Sequence, residues 1–147
     1  MNKAILIQVE ADIQASVELV WKFWTSPEDI LLWNFASGDW HTTKAENDLK
    51  AGGHFLSRME AKDGSFGFDF SGIYDHVEEN RLIEYTLGDN RKVRIIFESL
   101  DETTRITQIF EAETTNSTEL QRAGWQAILD NFKNYAEANK KEWPYLC

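Results

Sequence analysis

The sequence has one cysteine, a shortage of positive charge and no long apolar run, and each shortage removes a class of function. Cys147 is both the only cysteine and the last of 147 residues. No disulfide can form within the chain, and a cysteine-based zinc site has no partners. The 15 Lys and Arg are outnumbered by 25 Asp and Glu, for a formal charge of -10. That excess repels phosphate backbones and anionic membrane surfaces, so nucleic acid and lipid surfaces are not expected partners. No apolar stretch approaches the roughly 20 residues that cross a bilayer. The start, Met1-Asn2-Lys3 followed by Ala4-Ile5-Leu6-Ile7-Gln8, is too short and too soon polar for a signal peptide. A cytoplasmic protein without membrane insertion is the expectation.

The common chemical signatures are absent too. His41, His54 and His76 fall on separate predicted strands without metal-ligand spacing, so no metal is expected. There is no G-x-S-x-G elbow, phosphate loop or dinucleotide fingerprint, hence no expected cofactor, no nominated nucleophile and no assigned catalytic residue. Asp39 and Asp69 could do acid–base work if buried, but both read better as turn or solvent-facing residues.

What is abundant is aromatic: 6 Trp, 4 Tyr and 9 Phe. Residues 4–9 alternate in the period of a half-buried strand. From a cap at Ser16, Val17, Val20, Trp21 and Trp24 share one helical face. Ser26 and Pro27 open a second short helix, with Ile30 and Trp33 on its buried side. The period then becomes 2, and Gly52-Gly53, Asp63-Gly64, Gly88-Asp89-Asn90 and Asp101-Glu102 punctuate it as hairpin turns. The strands between read as 41–47, 54–61, 66–77, 81–87, 91–100 and 103–113. Short turns make them an antiparallel meander. A capping box at Asn116 and Glu119 opens a final helix carrying Trp125, Ile128, Leu129, Phe132 and Tyr135, ending near Asn139. With no repeat, linker or low-complexity stretch, residues 1–147 read as a single domain.

Sorting the strands by face puts Phe66, Phe68, Phe70, Gly72 and Tyr74 on one side, with Phe55, Ser57 and Met59, then Val93, Ile95 and Phe97, then Ile106, Gln108 and Phe110. Arg58 beside Glu60 and Arg94 beside Glu98 read as cross-strand charge on the other face. The ring-rich face must bury itself against the final helix, either as a filled core or around a cavity. Gly72 and Gly124 are candidates for close backbone approach. Ser57 and Gln108, directed inward, need a ligand, a protein partner or water.

Several residues taken in order carry a family resemblance: Val20-Trp21, Ser26-Pro27-Glu28, Trp33, the run Asp48-Leu49-Lys50-Ala51-Gly52-Gly53-His54-Phe55, Asp63-Gly64, Gly72-Ile73-Tyr74, Arg81-Leu82-Ile83, and Gly124-Trp125 followed by Leu129. Over residues 4–138 the chain resembles the activator-of-heat-shock-protein-90-ATPase family of the START/Bet v-like, or SRPBCC, superfamily. The resemblance implies an α+β helix-grip fold: a curved seven-stranded antiparallel sheet wrapped around a long C-terminal helix, with two short helices between strands 1 and 2. It also implies a deep cavity, used across the superfamily for lipids, polyketides and hormones. The eukaryotic co-chaperones that name the family carry a further N-terminal domain for which this chain has no room, so ATPase activation is not expected to carry over. Superfamily cyclases place polar catalytic groups in the cavity, and none is matched here.

The leading expectation is a module for a small hydrophobic molecule held among Trp33, Phe35, Trp40, Phe55, Met59, Phe68, Phe70, Tyr74, Phe97, Trp125 and Leu129, with Ser57 and Gln108 as polar handles. The alternatives are a chaperone-associated stress-response protein working through its acidic surface, and a cyclase- or hydrolase-like cavity enzyme. Trp143, Pro144, Tyr145, Leu146 and Cys147 are expected to fold back over the first strand or the helix end, leaving a monomer, or else to make a weak dimer.

Overall fold

Two periodicities written into the chain, 2 and 3.6, build a sheet and the helices it grips. The computed structural model describes residues 4–140. Its elements run β1 (Leu6–Ile13), α1 (Val17–Thr25), α2 (Pro27–Trp33), β2 (Trp40–Asn47), β3 (His54–Ala61), β4 (Gly67–Glu78), β5 (Leu82–Leu87), β6 (Lys92–Leu100), β7 (Thr103–Glu111) and α3 (Thr118–Asn139). The seven strands form one antiparallel sheet in the order β1-β7-β6-β5-β4-β3-β2, so the meander β2–β7 is completed by the first strand beside the last. The sheet curls around α3, with α1 and α2 between β1 and β2. This is the helix-grip arrangement that the resemblance implies. The expected fold-back of residues 143–147 concerns positions outside the described residues.

Local chemistry explains where the elements begin and turn. Ser16 caps α1 by accepting from the Leu19 N–H, and Pro27 sits at the start of α2. The cap of α3 is Ser117, accepting from the Leu120 N–H, and not Asn116. Asn116 instead donates through its backbone and side-chain N–H groups to the Glu113 carboxylate, so it belongs to the approach to the helix. Hairpin turns use the left-handed region at Gly52, Gly64, Asn80, Asn90 and Asp101, residue types that tolerate it best. β1 runs to Ile13, four residues past the sequence boundary, and Ile5 is exposed. The alternation simply continues: Ala11 and Ile13 face inward beside β7, while Asp12 faces out and pairs with Arg105 at 2.8 Å. On the outer face Arg94 pairs with Glu84 directly opposite it, at 2.7 Å, and not with Glu98 on its own strand. Arg58 holds both Glu60 and Asp69.

The core occupies one end of the grip. Ile7, Ile13, Val20, Ile83, Ile95, Ile106, Phe110, Leu129, Phe132 and Ala136 are sealed from solvent, and Trp21, Phe23 and Trp33 close over them. Phe132 is the hub, meeting Trp24 and Trp33 edge-on at ring-centroid distances of 4.8 Å. Hydrogen bonds lock the helices over this core. Trp33 donates its indole N–H to the Phe23 carbonyl, Asn131 donates to the Trp33 carbonyl, and Tyr135 donates to the buried Asp29, whose other oxygen accepts from Lys22. Phe132→Ala would remove the hub and leave a cavity where nothing can collapse, costing about 3–5 kcal/mol. Urea denaturation is expected to show the loss as a lowered midpoint at nearly unchanged slope.

Candidate functional site

At the other end the rings do not meet a filled core. Between the concave face of β2–β7, the segment after α2 and the first half of α3 lies a cavity of about 440 Å³. Among the residues bounding it, Ala36, Glu46, Phe68 and Asn116 are exposed and frame its opening. Trp33, Trp40, Phe55, Ser57, Met59, Phe68, Phe70, Tyr74, Gln108 and Trp125 all line it.

Phe97, Leu129 and Phe35 do not. Phe97 lies under α1, edge-on to Trp21 at 5.0 Å, and Leu129 is sealed in the core. Both point toward the inside of the grip, but at the end that α1 and α2 close. Phe35, just beyond α2, is half-buried outside the lining. Phe66 precedes β4 and is exposed, with Trp40 and Phe68 packed loosely beside it at 6.1 and 6.5 Å. The ring-bearing face of β4 is therefore buried at Tyr74 and opens progressively toward Phe68.

Sequence sorting missed Trp24, Ile30, Asn34, Asn47, Tyr85, Arg91 and Gln121, all of which also line the cavity. Tyr85 was accessible to the same reasoning: in β5, Ile83, Tyr85 and Leu87 alternate with Leu82, Glu84 and Thr86. Arg91 follows no periodic signal, because a turn brings it in, whereas Gln121 lies one helical turn before Trp125 on the inward face of α3 and is hidden from an apolar pattern only by its polarity.

The walls are rings braced on rings. Phe55 meets Tyr85 at 4.7 Å, Tyr74 at 5.2 Å and Phe70 at 5.9 Å, and Trp125 stacks on Phe110 at 3.8 Å. Gly72 makes the Phe55 position possible: a Cβ there would lie 2.8 Å from that ring and 2.6 Å from the Thr86 carbonyl oxygen. Gly124 has no such role, since a Cβ there would meet nothing within 4 Å.

Polar groups on the walls divide into two kinds. Ser57 accepts from Asn34 at 3.2 Å; Asn47 donates to the Thr25 carbonyl and accepts from the Tyr74 hydroxyl at 2.6 Å. Gln121 closes the far end by accepting from the Glu113 N–H and donating to the Glu113 and Asn116 carbonyls. Arg91 is tied to Asp89 and to the Glu111 carbonyl. The Gln108 amide and the Tyr85 hydroxyl are different: neither side chain bonds to any described residue, although each residue is only 6% exposed. No side-chain nitrogen or oxygen among the described residues is sealed off without a partner, so both of these groups open onto the cavity they line. Asp39 and Asp69 are exposed. Among the described residues no three of His, Cys, Asp and Glu converge as a metal site would need, and no helix is long and apolar enough to cross a membrane.

The sequence model of the family described as Activator of Hsp90 ATPase homolog 1-like protein matches residues 14–137. The chain belongs to this family. Its structure is similar to the solution structure of an AHSA1-like protein from Aeromonas hydrophila, with 45% identity, a TM-score of 0.87, and 92% of this chain and 94% of that one covered. A solution structure from Cytophaga hutchinsonii is 54% identical over the same shares, with a TM-score of 0.79. A crystal structure from Nitrosomonas europaea, 19% identical, covers 96% of this chain and 99% of its own at a TM-score of 0.80, and shows the shared fold alone. Among curated proteins no relative matches. The AHSA1-like fold is that of a ligand-binding domain in general.

Burial pushes the phenols of Tyr74 and Tyr85 well above the usual tyrosine range; the Asn47 hydrogen bond opposes the shift at Tyr74, while at Tyr85 neighbouring Tyr74 adds to it and the Arg91 charge opposes it. A folded state that keeps a proton the unfolded chain releases has its full stability below the unfolded value, about pH 10, and loses it as pH rises further. In an alkaline titration followed by phenolate absorbance, Tyr74 and Tyr85 are expected to ionise only as the protein unfolds. The double change Tyr74→Phe, Tyr85→Phe is expected to lessen the alkaline loss of stability.

Proposed function

We propose that this protein binds a small, largely hydrophobic molecule in the cavity between its curved sheet and α3, and that residues 1–147 act as one ligand-binding domain. The observation that carries this reading is the pairing of a ring-walled cavity of about 440 Å³ with two buried polar groups, the Gln108 amide and the Tyr85 hydroxyl, that make no hydrogen bond to a described residue. Ligand pockets are commonly apolar with a few placed polar groups and occupy roughly 300–1,000 Å³. Flat apolar faces suit the aromatic walls, where Phe55, Phe70 and Trp125 present ring surfaces to whatever lies between them.

Four tryptophans on the lining, Trp24, Trp33, Trp40 and Trp125, report occupancy directly. Native mass spectrometry of protein purified from cells is expected to show a co-purifying small molecule. In a screen of lipids and polyphenols, binders are expected to change tryptophan emission, and Trp125→Phe to diminish the change. A screen in which nothing binds and nothing co-purifies would sink the reading.

A further inference from the structure

We infer that the ligand is an uncharged ring compound carrying a hydroxyl or carbonyl oxygen, and that this oxygen is held inside the cavity by the Gln108 amide and the Tyr85 hydroxyl. The inference rests on the cavity being a ligand site, as proposed above, and adds the chemistry of the molecule it takes.

Position comes first. Gln108 on β7 stands opposite Ile95, which stands opposite Ile83 on β5; one step along, Phe110 stands opposite Val93 and Val93 opposite Tyr85. The two polar side chains therefore rise from neighbouring rows of the concave face, two strands apart, with Ile95 and Val93 of β6 between them. Gln108 offers two N–H donors and a carbonyl acceptor, and Tyr85 offers a hydroxyl that donates or accepts. Everything else at this depth is apolar or already bonded: Tyr74 to Asn47, Ser57 to Asn34.

A hydrocarbon or a bare alkyl chain that filled this space would leave an amide and a phenol desolvated and unpaired, which costs more than the ordinary net value of a hydrogen bond. An oxygen that bonds to them removes that cost. A charge is excluded by the same accounting. The charged residues on the lining are Glu46, Arg91 and Glu113; Glu46 pairs with Lys44, Arg91 with Asp89, and the Glu113 carboxylate accepts from Asn116. None stands on the floor beside Gln108, and Arg91, whose charge reaches the Tyr85 hydroxyl, is already tied to Asp89 and the Glu111 carbonyl, so a buried ion there would lack a free counter-charge. The ring walls, with Trp125 held flat by Phe110 and Phe55 edged by Tyr85, favour a planar body over a flexible one.

Three probes of one shape separate the possibilities: naphthalene, 2-naphthol and 2-naphthoate, titrated near neutral pH and followed by backbone and side-chain amide NMR. 2-Naphthol is expected to bind several-fold more tightly than either of the others and to shift the Gln108 side-chain amide signals. Gln108→Leu and Tyr85→Phe are each expected to weaken 2-naphthol by about two- to tenfold while leaving naphthalene unweakened, which also shows that the variants keep a formed cavity. Should Gln108→Leu fail to fold, Tyr85→Phe and the amide signals of the unaltered protein carry the test. Equal binding of naphthalene and 2-naphthol, tighter binding of 2-naphthoate, or unchanged 2-naphthol affinity in the variants overturns the inference and leaves the ligand cavity standing. If none of the three probes perturbs the lining, the inference falls, while the proposed function stands or falls by the lipid and polyphenol screen and by co-purification.

Discussion

Everything about this molecule depends on how one long helix is held over a sheet wider than it can cover. α3 is fastened at both ends by different means. In its second half Leu129, Phe132 and Ala136 are fully buried, while Asn131 and Tyr135 tie it to α2 through the Trp33 carbonyl and Asp29. Near its start the single side chain of Gln121 binds the backbone of Glu113 and Asn116, fixing where the helix leaves the sheet. Between those anchors Trp125 lies flat on Phe110. The helix rests chiefly on β1, at one edge of the sheet. Strands β3 and β4 therefore curve past a helix that does not descend onto them, and their inward side chains border a space.

Polar groups follow the same division. On the core side the buried donors and acceptors are bonded to one another or to backbone. Thr104 donates to the Ala15 carbonyl, the Trp33 indole donates to Phe23, and Asp29 accepts from both Lys22 and Tyr135. These bonds position backbone and helices, and removing one partner leaves the other stranded. On the cavity side the Gln108 amide and the Tyr85 hydroxyl make no hydrogen bond to a described residue, although the Tyr85 ring braces Phe55. Val9 faces Gln108 across β1 and β7, and Val93 faces Tyr85 across β6 and β5, so leucine and phenylalanine at these two places would fit the fold equally well. Polar side chains are costly where apolar ones would serve, and that cost is offset when a ligand completes their hydrogen bonds.

Much of this was legible in the sequence, and for identifiable reasons. Alternation set the strands to within a residue or two except in β1, where the charged Glu10 and Asp12 disguised a continuing inward row of Ala11 and Ile13. The glycine and asparagine turns were legible because few other residues accept their backbone angles. What alternation cannot supply is position along the row. Phe55 and Phe97 both point inward from antiparallel strands, yet one borders the cavity and the other fills the core, because α1 covers only one end of the sheet. Period 2 gives the face; the placement of helices, decided by contacts such as Trp21 on Phe97, gives the depth.

A ring-walled cavity in a protein interior should collapse unless something holds the rings apart, since each unfilled contact forfeits dispersion energy. Here the rings hold one another. Phe55 is wedged among Phe70, Tyr74 and Tyr85, and could swing inward only by abandoning three edge or tilted contacts along with the recess that Gly72 provides. Trp125 would have to leave its stack on Phe110, and Tyr74 would have to break its bond to Asn47, which in turn holds the Thr25 carbonyl at the junction of α1 and α2. Closing the cavity therefore disturbs the same helices that build the core. The aromatic excess conspicuous in the composition serves two purposes at once: large apolar area where α1, α2 and α3 meet the sheet, and a stiff wall where they do not.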